Sequence, residues 1–145
     1  MCLGAYEYLI KKSEGRAIDV SRLFIYYNAR VQDFPSEPVS DSGCSMTSIV
    51  EALKEKCVCD ESIWPYDIAK VNTRPSDDAY AQGESLKITE ALSLNIELNE
   101  LKSCLAQGFP FAFGLTLFGS FDRAAATGIV PMPAADDTSR TSHGL

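Results

Sequence analysis

Along the first half of the chain the apolar residues recur at helical spacing. Leu3, Tyr6, Leu9 and Ile10 share one helical face. Lys11 and Lys12 suit the C-terminal end of that helix, and Gly15 can end it. No start signal precedes Leu3, so the pattern reads as a helix already running at the first residue. Asp19 or Ser21 can cap a second helix, in which Val20, Leu23, Phe24 and Tyr27 follow the i, i+3, i+4, i+7 pattern. A loop from Asp33 to Gly43 comes next. In the third helix Ser48 and Glu51 can form a capping box, or Ser45 can cap one turn earlier. Met46, Ile49, Val50, Leu53 and Cys57 make its apolar stripe, which reads as core.

The pattern changes after Trp64-Pro65-Tyr66, whose aromatic rings also read as core. A loop rich in Asp, Ser and Pro runs to Gly83. Leu86 and Ile88 then alternate with Lys87 and Thr89, as in a strand. Leu98, Leu101 and Leu105 mark a short helix with Asn95 as its cap and Gly108 as its stop. From Phe109 to Leu117 large residues fall on one face and small ones on the other, the pattern of a buried strand. Gly128-Ile129-Val130 predicts a further strand, stopped by Pro131-Met132-Pro133. Helices first and strands second is a segregated α+β order, with a boundary near residue 80.

Composition narrows the function classes. Of 145 residues 46% are hydrophobic and 23% charged, a globular balance large enough for one ordinary domain. The net charge of −7, with no basic cluster, argues against nucleic acid or an anionic membrane as partner. Met1 to Glu7 lack the basic and apolar regions of a secretory leader. The five cysteines are an odd number, so at least one is unpaired within the chain. Cys57 and Cys59 have no histidine or further cysteine at zinc spacing, so no metal or other cofactor is expected; buried thiols, or one or two disulfides, are. His143 is the one histidine, and by itself it reads as a surface residue near a chain end.

Several ordered segments add a resemblance. They are Gly4-Ala5-Tyr6-Glu7-Tyr8-Leu9, Asp19 to Arg30, Asp41-Ser42-Gly43, Val58 to Asp67, Leu101 to Phe111, Thr127 to Pro133 and Ser142-His143-Gly144-Leu145. In this order and spacing the chain resembles papain-type cysteine peptidases of the bacterial kind. The resemblance implies a two-lobe fold with substrate in the cleft between the lobes. Residues 1–82 would be the helical lobe, starting inside its central helix, and 83–145 a partial antiparallel β-barrel lobe ending at the histidine.

It also implies a chemistry. A cysteine at a helix N-terminus, ionised beside an imidazole, attacks a peptide carbonyl; the imidazole then protonates the leaving amine. An asparagine orients the imidazole, and a glutamine ahead of the cysteine helps bind the oxyanion. His143 matches the family's histidine, with Ser142 where glycine is usual. Cys2 lies less than one turn before Ala5, whereas the family's cysteine sits about two turns before that segment. On this register Cys2 is an ordinary helix residue, the nucleophile and glutamine lie upstream of Met1, and the asparagine lies downstream. The chain by itself is then expected to be inactive.

Ser42 and Gly43 match the loop that pairs with substrate backbone, although a turn before a capped helix needs glycine equally. Met132 and Pro133 match a border of the specificity pocket, with a strand end as the plainer reading. Cys59 and Cys104 stand where related sequences often carry cysteine, which implies a disulfide between them. The expected partners are peptide or protein substrates. The alternative is a non-catalytic papain-fold protein that binds peptides or partners through the old cleft.

Overall fold

The computed structural model describes residues 2–83, 88 and 90–144, with the side chains of 141–144 left out. It forms two compact units, residues 2–111 and 112–144. The first is helical and the second holds a small sheet, which is the segregated α+β order the pattern predicts.

Helix α1 spans Cys2–Glu14 and buries Leu3 and Tyr6, two residues of its predicted stripe. The Gly15 N–H returns to the Lys11 carbonyl at 3.0 Å and closes its last turn. Helix α2, Arg22–Asp33, starts at Ser21, whose hydroxyl accepts the Phe24 N–H at 3.1 Å. That hydroxyl also donates to the Trp64 carbonyl at 2.6 Å, so one side chain caps α2 and fixes the chain beyond the third helix. Of the two candidate caps, Ser21 serves and Asp19 does not. Helix α3, Met46–Glu55, is capped by Ser45, which accepts the Ser48 N–H at 3.0 Å; the alternative box at Ser48 and Glu51 lies inside the helix.

Helices α2 and α3 pack together, with Val20, Phe24, Ile25, Ala29, Ala52, Leu53, Val58 and Cys59 in one core cluster. The segment after α3 joins them, because Val20 and Asp60 form an antiparallel bridge. Helix α4, Asp77–Gly83, closes the cluster through the tilted Phe24–Tyr80 ring pair, 5.0 Å between centroids. Trp64 is half-buried against this core, but Tyr66 is 62% exposed, so only one of the two expected core aromatics belongs to it.

A buried cation ties the loops of this unit together. Arg30 of α2 is 1% exposed. Its guanidinium donates to the carbonyls of Tyr26, Ser40 and Val71 and to the Asn72 side-chain oxygen. It lies 4.0 Å from the Tyr26 ring centroid, a cation–π contact. A planar fork of five N–H donors suits this ring of oxygens, whereas an ammonium is a point donor.

Helix α5, Leu98–Ala106, also belongs to the first unit. Its N-cap position is Glu97, not the expected Asn95, whose N–H and side-chain amide both donate to Glu100. At its other end Gly108 has φ +80, a left-handed conformation that favours glycine. Lys12 donates to the Gly108 and Gln107 carbonyls and sits 5.2 Å from the Phe109 ring centroid. These bonds hold the end of α5 on α1. The unit therefore runs to residue 111, past the composition change near residue 80.

In the second unit strand β1, Gly114–Phe118, pairs antiparallel with β2, Ser139–Gly144. The short helix α6, Ala124–Thr127, lies between them in sequence. The strand expected over 109–117 thus begins only at Gly114. The strand expected at 128–130 is absent: Gly128 ends α6, its N–H returning to Ala124 at 2.7 Å, and the chain beyond carries no ladder before β2. Leu86, Lys87 and Thr89 of the other expected strand lie outside the described residues, and Ile88 is in no regular element.

Replacing Arg30 by Met would leave three carbonyls and an amide oxygen without their donor. We expect Arg30→Met to cost about 3 kcal/mol in chemical denaturation, and Arg30→Lys to recover only part of it. Equal stability of Arg30→Met and the parent would contradict this account.

Candidate active site

The described geometry is built within each unit. In the first, the loop Ser40–Gly43 leaves α2 and enters α3, and three anchors hold it. Arg30 takes the Ser40 carbonyl from inside the unit. The Tyr26 hydroxyl donates to Asp41 Oδ1 at 2.6 Å and accepts the Gly43 N–H at 2.9 Å. Asp33, at the end of α2, accepts the Ser45 N–H at 2.7 Å and the hydroxyls of Ser45 and Ser48. Burial acts to raise the Asp33 carboxyl, but these bonds outweigh it and hold the group below its ordinary range.

Gly43 has φ +79, a left-handed conformation that L side chains rarely adopt, and a Cβ there would meet no atom within 4 Å. Ser42 and Gly43 are exposed. Two hollows border the loop. One, about 120 Å³, is lined by Arg30, Phe34, Ser40 and Ser42; the other, about 320 Å³, by Leu23, Tyr26, Asp41, Tyr66, Ile68 and Val71.

Cys2 lies on α1, half-buried against the core cluster, and burial pushes its thiol above the ordinary value. Cys44, beside the glycine loop, is pushed up to about 11 by burial and then by the Asp33 charge. Cys59 is fully buried and raised to about 11 by the same desolvation. None of these three has the lowered pKa of an activated thiol. All five cysteines are thiols rather than halves of disulfides. The Cys59–Cys104 bridge expected from the resemblance is not formed: Cys59 packs in the core, while the Cys104 thiol donates to the Phe109 carbonyl at 3.4 Å.

In the second unit the backbone of His143 lies in β2 opposite Leu115, with Ser142 opposite Thr116. Met132 and Pro133 lie in the segment between α6 and β2, where Met132 is 88% exposed. No cluster of metal-ligating side chains occurs among the described residues, and no described helix is long and apolar enough to cross a membrane.

Two residues of the loop anchor, Tyr26 and Arg30, escape a reading of periodicity. The available signal was Arg30 itself, seven residues after buried Leu23 and so on the apolar face of α2.

Comparison with known proteins defines the class first: the fold is papain-like. Over 98% of its length the chain matches the crystal structure of xylellain, a cysteine protease from Xylella fastidiosa, with a TM-score of 0.81 and 29% identity, covering 58% of that chain. It is also 30% identical, over 97% of its length, to an uncharacterized peptidase C1-like protein of Acanthamoeba polyphaga mimivirus. No protein-family model matches it. In sequence and in fold the chain is thus similar to papain-like C1 peptidases over nearly its whole length. It spans about half the length of the curated relative, 49%.

Asp33 offers a pH test of the loop. Its depressed carboxyl adds stability that is complete above its unfolded-state pKa, about 3.9, and is lost as pH falls through the lower folded value. Asp33→Asn should therefore be less stable than the parent by about 1 kcal/mol near neutral pH. Urea titrations at descending pH should show that gap closing. A gap of constant size down to the acid transition would refute the assignment.

Proposed function

We propose that this chain forms part of a cysteine peptidase that hydrolyses peptide bonds through a thioester acyl-enzyme. The likeness to xylellain over nearly the whole chain carries this reading. His143 acts as general acid and base. As acid it protonates the leaving amine when a thiolate has attacked the scissile carbonyl; as base it then takes a proton from the water that hydrolyses the thioester. Ser42, Gly43, Met132 and Pro133 contact the peptide. In this reading residues 1–82 belong to the helical lobe and 83–145 to the barrel lobe.

The nucleophile is a cysteine encoded ahead of this stretch, with the oxyanion glutamine before it, and the orienting asparagine follows His143. What supports excluding Cys2 is its place: it packs on the core of the helical unit, and burial raises its thiol pKa, the reverse of what nucleophilic attack needs. The 145-residue chain by itself should then be inert toward peptide bonds.

Expression of this chain and of a version extended along the gene in both directions, each assayed on a fluorogenic peptide, tests the proposal. The extended protein should turn over substrate and the short chain should not. In the extended protein His143→Ala should lower kcat/KM by about 10³-fold or more, and Cys2→Ala should leave it within about twofold. A thiol-directed epoxide that labels Cys2 only when His143 is present would show Cys2 to be the nucleophile. A folded extended protein without turnover would instead favour a papain-fold protein that binds peptides without cleaving them.

A further inference from the structure

Arg30 is buried to 1% exposure, yet every group that accepts its hydrogen bonds is neutral. Nε donates to the Tyr26 carbonyl at 3.1 Å, Nη1 to the Ser40 carbonyl and to Asn72 Oδ1, and Nη2 to the Val71 carbonyl. A guanidinium has five N–H groups, and these bonds use all but one. The remaining N–H, on Nη2, has no acceptor among the described residues. Buried charges are ordinarily paired with an opposite charge, because taking an ion out of water is costly. The Tyr26 ring, 4.0 Å from the guanidinium, offsets only part of that cost. The acids of the neighbouring segments are engaged elsewhere: Asp33 gathers the cap of α3, and Asp41 accepts the Tyr26 hydroxyl.

The same guanidinium lines the hollow of about 120 Å³ beside the loop. Two further lining residues carry hydroxyls. That of Ser40 has no partner among the described residues, and that of Ser42 reaches the Ser40 and Gly43 carbonyls only at 3.4 and 3.3 Å. Phe34, Pro38 and Val39 make the apolar part of the wall, and Glu37 is its one carboxylate, on an exposed residue.

We propose that this hollow binds a small carboxylate, which pairs with Arg30 and accepts hydrogen bonds from Nη2 and the serine hydroxyls. The short apolar part of the ligand lies against Phe34, Pro38 and Val39, contacts that a halide would not use. Glu37 repels any anion, and repels a doubly charged phosphate twice as strongly, so the site favours a monoanion. The carboxylate belongs either to a free small acid or to an acidic side chain of a peptide. The proposal stands apart from the peptidase reading, because it needs only the charge of Arg30 and the walls of the hollow.

The test uses the ¹⁵N-labelled chain, observed at the Arg30 Nε–H and at the amides of residues 39–43. Sodium acetate at constant ionic strength should shift these resonances saturably. Acetamide, of the same shape without the charge, should leave them unmoved. Glu37→Gln should tighten acetate binding by about threefold or more, because one like charge is removed. Ser40→Ala should weaken it by about threefold or more, the loss of one donor. Acetyl-aspartyl amide presents the same carboxylate on a peptide and separates the two sources. Tighter binding than acetate identifies an acidic side chain as the ligand, and weaker binding identifies a free acid. Shifts that never saturate, or an equal response to acetamide, would overturn the site. Saturable binding indifferent to both Glu37→Gln and Ser40→Ala would place the anion elsewhere and overturn it as well. Arg30 is intact in every protein used, so no outcome depends on a variant that has lost the loop anchor.

Discussion

A guanidinium taken out of water must find an oxygen for each of its directions, and Arg30 finds them on three separate stretches of chain. Tyr26 lies one turn back on its own helix, Ser40 in the glycine loop, and Val71 and Asn72 in the turn after the third helix. No carboxylate takes part in these bonds. Backbone carbonyls are the acceptors that a loop always carries, so the buried charge organises loops whose side chains are mostly polar and small. The apolar cluster of α2 and α3 fixes where Arg30 stands; Arg30 then decides how Ser40–Gly43 and the segment near Val71 fold against it.

The candidate site inherits its geometry from that cation. Gly43 is exposed and takes a positive φ, and its direction is set by Tyr26, whose ring lies on the guanidinium. Asp33 supplies the second hold by gathering the cap of α3. The exposed loop is therefore supported by buried or half-buried groups of a single helix. A site of this kind has its precision in the scaffold rather than in the loop sequence.

The cysteines show the same dependence on surroundings. Spacing left buried thiols and disulfides both open, and the core resolves it for Cys57 and Cys59, which are buried as thiols behind α3. Cys2 sits near the start of α1, where a nucleophile would be sought, but it packs against the core, and desolvation stabilises its protonated form. Burial raises the thiol pKa at Cys2, Cys44 and Cys59 alike.

The amino-acid sequence by itself determined the three leading helices and their order before the sheet. Periodicity and caps act over a few residues, so Leu3 to Ile10, Val20 to Tyr27 and Met46 to Cys57 declare themselves locally. It also carried the ordered segments of a papain-like peptidase and marked His143 and Gly43 as candidates. Tertiary structure decided what depends on distant partners. Ser21 rather than Asp19 caps α2, because its hydroxyl also reaches the Trp64 carbonyl. Among the described residues the sheet runs from Gly114 to Phe118, where β2 supplies its hydrogen bonds. Tyr66, adjacent to a core segment, is left outside it. Above all, a lone arginine on an apolar helix face became the anchor of a loop ten residues away, through carbonyl groups that no residue type reveals.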